Sequence, residues 1–298
     1  MKRILAIYYS QTGQLEEMVG KFCKPFIDAG FSVETVRVQM QAPYPFPWTA
    51  KSFFSVMPDC VLQQPAAIQP FHLKEEKYDL IVLGWQPWFL SPGIPFNSFM
   101  QDASLQKVLQ NTPVITVTGC RNMWVNAYEQ VKIILQKSHA QQVGTIALAD
   151  RHLNLVSFFT IFHWMLHGKK DRYLNLFPKP GVADEDIDKM IFFGTIALAH
   201  FQNNNRTNFQ NELCNQDAVF LKFHLMFMEK KAGAMFKVWA KFIAARKNKS
   251  VWLSLFKYYL IIALFIFAPI VYVIDLLIFK PFFSSYITRK KQAVLKLS

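Results

Sequence analysis

Runs of apolar residues alternate with segments of helical spacing over the first half of the chain. The runs predict five strands, at residues 4–9, 31–38, 78–84, 113–119 and 143–148. Four of them are apolar almost throughout, as in strands covered on both faces. The run at 31–38 alternates apolar and polar residues, which predicts a strand near a sheet edge.

Apolar residues three and four apart predict helices between and after these strands, starting at Leu15 and spanning residues 96–110, 125–139, 153–166 and 184–200. Strands separated by helices imply right-handed crossovers and a parallel sheet. We therefore predict an α/β, doubly wound, five-stranded parallel sheet with strand order 2-1-3-4-5. Its ligand crevice should lie beyond the carboxyl ends of the first and third strands.

Residues 41–72 interrupt this pattern with six prolines and several aromatic residues. The segment is too apolar for a disordered linker and too rich in proline for a strand. It predicts a folded excursion with one short helix near residues 49–56. Two interpretations stay open, a lid over the sheet edge and a wall for an apolar substrate.

The C-terminal third differs in character. Residues 201–217 are rich in Asn and Gln and predict a linker between a first domain, 1–200, and a helical extension, 218–298. Residues 218–246 predict a helix with a basic stripe at Lys230, Lys237 and Lys241. Residues 258–274 carry no charge and are near the lower length limit of a spanning helix. Pro269 and basic residues on both sides favour a kinked re-entrant or hairpin membrane anchor over a single span.

Composition supports membrane association. The chain has 298 residues, of which 52% are hydrophobic, and a net charge of +13. Residues 201–298 carry 15 basic and 4 acidic residues, so +11 of that charge lies in the extension. Basic residues interleaved with apolar runs suit an anionic membrane surface better than nucleic acid. Four widely spaced cysteines and no signal peptide indicate reduced thiols. We expect the protein at the cytoplasmic face of the cell membrane.

A turn of small polar residues follows the first strand. Ser10, Gln11, Thr12 and Gly13 supply hydroxyls and a residue free to adopt positive φ, directly before a helix. The N–H groups at such a helix N-terminus bind phosphate. The turn resembles the phosphate loop of flavodoxin-like proteins, which implies bound FMN, although Gln14 and Leu15 depart from the family preference for Asn and Thr. Simple helix capping is the alternative.

Three loops should converge at the crevice, at residues 10–13, 85–95 and 119–124. Flat aromatic side chains and backbone amides hold a flavin ring well. The FMN-binding residues that we predict are Ser10, Gln11, Thr12, Gly13, Gln14, Leu15, Pro87, Trp88, Phe89, Gly119 and Trp124. The alternative is that the aromatic residues only plug the top of the sheet.

Several longer motifs carry a family resemblance: YYSQTGQL, PFPWT, GWQPWFLSPGIP, TGCRNMW, ALADRHLNLVS and GKKDRYLNLFPKPGVADEDI. Over roughly residues 1–200 the chain resembles the dialkylresorcinol condensing enzyme family of flavodoxin-like proteins. The resemblance implies a place in the biosynthesis of dialkylresorcinols, the lipids of flexirubin-type pigments, beside a ketoacyl-synthase-like partner. The flavodoxin-like member resembles an aromatase that dehydrogenates a dialkylcyclohexanedione, a lipid-like cyclic dione, to the resorcinol.

That reaction needs a base and a stabiliser of the enolate. Arg121 and Asn122, after the fourth strand, can donate to an enolate oxygen, and the imidazole of His152, after the fifth, is a candidate for proton abstraction. A structural role for His152 and an ion pair between Asp150 and Arg151 are the alternatives. We predict no metal site, because His163 and His167 lack the intervening glutamate of a zinc-protease motif.

Two other functions stay open. A degenerate phosphate loop would fit a non-enzymatic partner that presents lipid intermediates to the ketosynthase. The general flavodoxin pattern would also fit a membrane-bound quinone reductase or electron carrier.

Overall fold

The computed structural model describes residues 1–203 and 208–297, apart from the side chain of Lys280. Its five parallel strands are β1 (Arg3–Tyr8), β2 (Ser32–Arg37), β3 (Leu80–Trp85), β4 (Pro113–Cys120) and β5 (Gln141–Ala149). They are ordered β2-β1-β3-β4-β5 in the sheet. This confirms the predicted order 2-1-3-4-5, and the fold is α/β and flavodoxin-like.

The register follows from burial. Ile4 of β1 lies between Val33 of β2 and Leu80 of β3, and β3 and β4 are buried along their whole length. The edge strand β2 buries alternate residues in its second half. The alternating run therefore predicted the edge strand β2, whereas β5, at the other edge, is nearly as buried as the central strands.

Helices cover both faces of the sheet. One face carries α1 (Gln14–Asp28), α8 (Asp184–Gln202) and α9 (Phe209–Asn215). The other carries α4 (Ile94–Phe99), α5 (Ala103–Leu109) and α6 (Val125–Lys137). A further helix, α7 (Asn154–His167), follows β5. The acidic run at 184–188 does begin a helix, where carboxylates favour the positive end of the dipole.

Two predicted helices are each divided in the structure. The helix predicted at 96–110 is broken because Asp102 Oδ1 accepts the backbone N–H groups of Ser104 (2.9 Å) and Leu105 (3.1 Å), which starts α5 anew. The excursion contains α2 (Ala50–Ser55) and then α3 (Met57–Val61) instead of one short helix. A proline in the first turn of α3 suits a new helix start.

The predicted linker at 201–217 is only partly described, since residues 204–207 lie outside the described residues. The described part beyond that gap is helix α9, and its Phe209 is buried against β5. Gln210 Oε1 accepts the backbone N–H of Thr145 over 2.7 Å. These residues therefore pack on the sheet and do not link two bodies, while the division into domains stays a prediction.

The C-terminal extension begins with α10 (Phe223–Ala244). It continues as α11 (Lys249–Ile262), a π-helical turn (Ala263–Phe267), α12 (Ala268–Ile274) and a second π-helical turn (Asp275–Phe279). Lys249–Phe279 is one helical run of 31 residues, long and apolar enough to cross a membrane; we call it the apolar helix. After it come α13 (Lys280–Phe282) and α14 (Ser284–Leu295).

The hairpin predicted around Pro269 is wrong for this segment. Ala263, Ala268 and Asp275 all keep right-handed helical angles. Pro269 stands in the first turn of α12, after a π-helical turn, where its missing N–H is tolerated. The chain therefore runs through this segment without reversing direction.

Candidate functional site

A cavity of about 650 Å³ opens at the carboxyl ends of β1, β3 and β4. The three loops predicted to converge do meet there. Eight of the residues predicted from the sequence line it: Gln11, Thr12, Gln14, Pro87, Trp88, Phe89, Gly119 and Arg121. Its volume is in the range of small-molecule and cofactor sites.

Some residues of the predicted phosphate loop cap helix α1, and others line the cavity. Ser10 is buried, and its Oγ accepts the backbone N–H of Glu16 over 3.3 Å. Leu15 points into the core. Thr12 lines the cavity, and its Oγ1 accepts the N–H of Gln14 over 3.5 Å. Capping of α1, the alternative kept open from the sequence, is therefore present beside the cavity.

Gly13 has the backbone geometry that a phosphate turn requires. Its φ is +84°, and a Cβ placed on it would meet no atom within 4 Å. Only glycine adopts this conformation without strain. The turn therefore leaves open space at Gly13, between the cavity-lining Thr12 and Gln14, and backbone N–H groups at such a position can approach an anion.

Gln11 and Gln14 tie other segments to the loop. Gln11 Nε2 donates to the Pro45 carbonyl oxygen (3.1 Å), and its Oε1 accepts the indole N–H of Trp48 (3.1 Å). Gln14 Oε1 accepts the backbone N–H of Val182 over 3.3 Å. The excursion lines the cavity with Phe46, Trp48 and Phe53, which supports the substrate-wall interpretation.

Trp124 lies elsewhere than predicted. Its side chain is 1% exposed and packs in the core with Tyr128, whose ring centroid is 5.3 Å away. Its Nε1 donates to the carbonyl oxygen of Phe220 over 2.8 Å. Trp85, from the second predicted loop, is also buried and stacks on Tyr128. These two indoles do not line the cavity, because they pack in the core beneath α4 and α6 on one face of the sheet.

The loop after β4 forms a small hydrogen-bond network. Arg121 Nη2 donates to Asn154 Oδ1 (2.8 Å), and Asn122 Nδ2 donates to the same oxygen (3.0 Å). Arg121 and Asn154 line the cavity, whereas Asn122 is buried behind them. Burial lowers the pKa of the Arg121 guanidinium to about 10 against the opposing effect of Asp150. Arg121 is therefore still a cation at neutral pH.

His152 lies outside the cavity lining, with an exposed side chain. Its backbone N–H donates to Asp150 Oδ1 (3.0 Å), and Ser157 Oγ donates to Asp150 Oδ2 (2.8 Å). Asp150 thus organises the start of α7. The alternative ion pair with Arg151 is wrong, because Arg151 Nε instead contacts Asp186 Oδ2 at 2.8 Å. The base role of His152 stays a prediction.

The far half of the cavity is apolar, and sequence reasoning missed it. Three helices form it: α7 contributes Phe158, Ile161 and Phe162; α10 contributes Phe227, Met235 and Phe236; and the apolar helix contributes Tyr259, Leu260, Ala263, Leu264, Phe267, Ala268 and Val271. The last set recurs every three to four residues, as one helix face does. That spacing was visible in the sequence, but an apolar stripe alone does not say what it faces.

The charges on the cavity wall are cationic. Among the described residues that line it, the ionised side chains are Arg121 and Lys231, and none is Asp or Glu. A cavity with cations at its wall and an otherwise apolar surface suits an amphiphile with an anionic head. In the described part of the chain, no group of three or more His, Cys, Asp and Glu side chains could hold a metal ion.

The residues present fit FMN. Open space at Gly13 leaves room for a phosphate at the N-terminus of α1. Asn154 lines the cavity, and its buried Nδ2 has no hydrogen-bond partner among the described residues. It can donate to the polar edge of a ligand. Trp88, flanked by Tyr44 and Trp48 at 5.1 and 5.8 Å between ring centroids, offers a fixed aromatic wall.

Comparison with known proteins adds a few structural similarities. No family model and no curated protein matches the chain. A flavoprotein in complex with FMN from Lactobacillus acidophilus is 16% identical, with 49% of this chain and 93% of that chain covered and a TM-score of 0.39. A candidate flavoprotein from Bacteroides eggerthii is 18% identical (51% and 91% covered, TM-score 0.38). Another from Bacteroides uniformis is 17% identical (55% and 97%, TM-score 0.37).

Proposed function

We propose that the chain is an FMN-dependent oxidoreductase that dehydrogenates a lipid-like cyclic dione to a resorcinol, the aromatase role implied by the dialkylresorcinol resemblance. One observation carries the proposal. The cavity of about 650 Å³ joins the three loops at the sheet edge to a chamber of apolar helices. A flavin site and a site for acyl chains would therefore share one space.

Thr12, Gly13 and the first N–H groups of α1 would hold the phosphate, and Trp88, Gly119 and Asn154 would contact the ring. When bound, FMN supplies a hydride acceptor at N5. The loop aromatic residues orient the ligand and exclude water from it.

Arg121 would bind the dione as its enolate. A cyclic 1,3-dione is a vinylogous acid, so it loses a proton without a strong base, and a nearby guanidinium favours that ionisation. This accounts for a lining without carboxylates among the described residues. Dehydrogenation of the bound enolate would then remove one hydride from a ring carbon, to the acceptor that FMN supplies, and one proton from its neighbour, to water. This leaves the resorcinol monoanion, which takes one proton back from water to give the resorcinol. Arg121 keeps its charge throughout, because its pKa of about 10 lies above neutral pH.

The apolar half would take the alkyl chains. Phe158, Phe227 and Leu264 come from three different helices and face the same space. The apolar helix would hold the protein at the cytoplasmic face of the cell membrane, where a dialkyl substrate partitions. A ketoacyl-synthase-like partner would supply the dione.

The experiment is anaerobic spectroscopy of the purified full-length protein. We expect an oxidised flavin absorbance that bleaches on addition of a dialkylcyclohexane-1,3-dione, with the resorcinol formed in equal amount. A protein without flavin would support the non-enzymatic presenter. A flavin reduced by other donors but never by the dione would support the electron carrier.

A further inference from the structure

The apolar helix is fixed to the rest of the protein along one side. Its buried residues Phe256, Leu264, Ala268 and Asp275 are spread over 20 positions. The Phe256 ring lies 5.1 Å from Phe236 of α10. The helix is therefore a packed element of the fold over most of its length.

Contacts at the middle and the far end of the apolar helix also join it to the rest of the protein. Phe265 lies 5.9 Å from Phe158 of α7, measured between ring centroids. Asp275 Oδ2 lies 3.3 Å from His224 Nδ1 of α10, and both side chains are buried. If the helix crossed a bilayer, α7 and α10 would enter the hydrocarbon with it, including the exposed Lys237 of α10. Such burial of charge is costly.

The opposite side of the helix is apolar and uncovered. Its length of 31 residues corresponds to about 46 Å, more than the roughly 30 Å of a hydrocarbon core. A helix lying in the membrane plane has no such length limit. The exposed apolar residues run from one end to the other: Val251, Leu255, Tyr258, Ile262, Ile266, Ile270, Val273, Ile274, Leu277 and Ile278.

A second exposed apolar feature lies beside it, in the loop 168–180 between α7 and α8. Leu174 and Leu176 are 70% and 76% exposed. Leu174 has φ +52°, a left-handed conformation that is strained for a leucine. Folding alone does not explain why a strained backbone should present two leucines to solvent.

The loop is held in place and is basic. Its Phe177 lies 6.3 Å from Phe159, which lies 5.8 Å from Phe265 of the apolar helix. Residues 169–179 contain four basic residues and one acidic residue, and Lys169 and Arg172 are exposed. Leucines among basic side chains match an anionic lipid surface, where each cation adds to the attraction.

We infer that the apolar helix lies in the plane of one leaflet of an anionic bilayer, with Leu174 and Leu176 as a second insertion point, and that the chain does not cross the membrane. The inference rests on the membrane attachment within the proposed function, not on its redox chemistry. The cavity wall formed by Leu264 and Val271 would then separate the substrate site from lipid by one helix.

Topology is tested by labelling in sealed, inside-out membrane vesicles. Single cysteines replace Ser250, in the first turn of the apolar helix, or Ser284, at the start of α14 beyond its other end, in full-length protein carrying Cys214→Ser. The other three cysteines are buried. A membrane-impermeant maleimide should label both positions to the same extent as an Ala29→Cys control, without detergent. Protection of either end until detergent is added would overturn the in-plane arrangement.

The loop contact is tested by flotation with phosphatidylcholine vesicles, with and without phosphatidylglycerol. The double variant Leu174→Asp/Leu176→Asp should lower partitioning onto anionic vesicles by about a hundredfold or more, as expected when two leucines are lost from a lipid interface. Ile27→Asp on α1, where Ile27 is 56% exposed, is the matched control and should float as the native protein does. Unchanged flotation of the double variant would overturn the loop contact and indicate a protein partner there. Flavin spectra of the variants stay a separate readout for the proposed function.

Discussion

The indole Nε1 of Trp124 donates to the backbone carbonyl oxygen of Phe220 over 2.8 Å. The bond joins the loop after β4 to the start of the C-terminal extension. Beside it, Ala147 of β5 donates its N–H to the Ala218 carbonyl (2.9 Å) and accepts the Phe220 N–H (3.0 Å). The extension thus continues the hydrogen bonding of the sheet edge, and Trp124 adds a side-chain hydrogen bond to the same junction.

Truncation should therefore depend sharply on its position. Deleting residues 218–298 removes Phe220 and Glu229 together with α10, leaving Trp124 and the start of α6 uncovered. Deleting residues 249–298 keeps all of these contacts. We expect the protein that lacks residues 218–298 to be less stable in urea unfolding than the protein that lacks residues 249–298. The difference in the free energy of unfolding should exceed about 3 kcal/mol, since several buried side chains are lost. Equal stability of the two would show that the sheet does not need α10.

Glu229 gives a pH-dependent test of the same junction. Its side chain is 1% exposed, and its carboxylate oxygens accept the N–H groups of Val125 (3.1 Å) and Asn126 (2.8 Å) at the start of α6. Burial raises the pKa of Glu229 from its ordinary 4.5 to about 8, against these two hydrogen bonds. The folded state thus holds the proton more tightly than the unfolded chain.

The direction of the pH dependence follows from the linkage between proton binding and folding. Stability associated with the protonated group is complete below pH 4.5 and is lost as the pH rises to about 8. Relative to the native protein, Glu229→Gln should gain stability across that window, by at most about 1.4 kcal/mol per pH unit. Urea unfolding between pH 5 and 8.5 measures this gain, with the exposed Glu129→Gln as control. Parallel pH profiles of the native protein and Glu229→Gln would contradict the prediction.

FMN binding should depend on Gly13. Gly13→Ala forces a side chain into a positive-φ position at the predicted phosphate turn, and the loop should shift to relieve the strain. Gly30→Ala is a matched control at the other end of α1, because Gly30 has φ +82° and, like Gly13, open space around its Cβ position. We expect lower FMN content in the first variant alone, measured by absorbance after desalting. Equal FMN content in the two variants would contradict the placement of the FMN phosphate at this turn.

Local pattern predicted the sheet well and the far side of the cavity poorly. Strand order follows from burial and from the handedness of crossovers, which are properties of neighbouring segments. The hydrogen-bond partner of Trp124, Phe220, is 96 residues away in sequence, and Leu264 lines the cavity together with Phe158 of the distant helix α7. One sequence contains no signal for such pairs. Gln14 illustrates the same limit. Its side chain accepts the backbone N–H of Val182, a contact that only the folded chain shows.

The last prediction concerns Arg121 and the chemical step. If its guanidinium stabilises the enolate of the dione, Arg121→Met should slow hydride transfer by about 10²-fold or more, as loss of one donor to a developing oxyanion does elsewhere. Arg121→Lys keeps the charge without the paired donor geometry, so its rate of hydride transfer should lie between those of the native protein and Arg121→Met. Arg151→Met is the matched control, because Arg151 pairs with Asp186 and does not line the cavity.

Anaerobic stopped-flow mixing of each variant with the dione measures the rate of flavin bleaching, and the starting spectrum measures FMN content. Arg121 lines the cavity and donates to Asn154, whereas the proposed phosphate turn lies at Thr12 and Gly13, so FMN content should change little. A slow variant with normal FMN content places Arg121 on the substrate. A variant that has lost its flavin would indicate that the guanidinium contacts the cofactor. Unchanged bleaching would contradict the role of Arg121 as the partner of the enolate. Lys231, the other cation among the described residues of the cavity wall, would then be the next candidate.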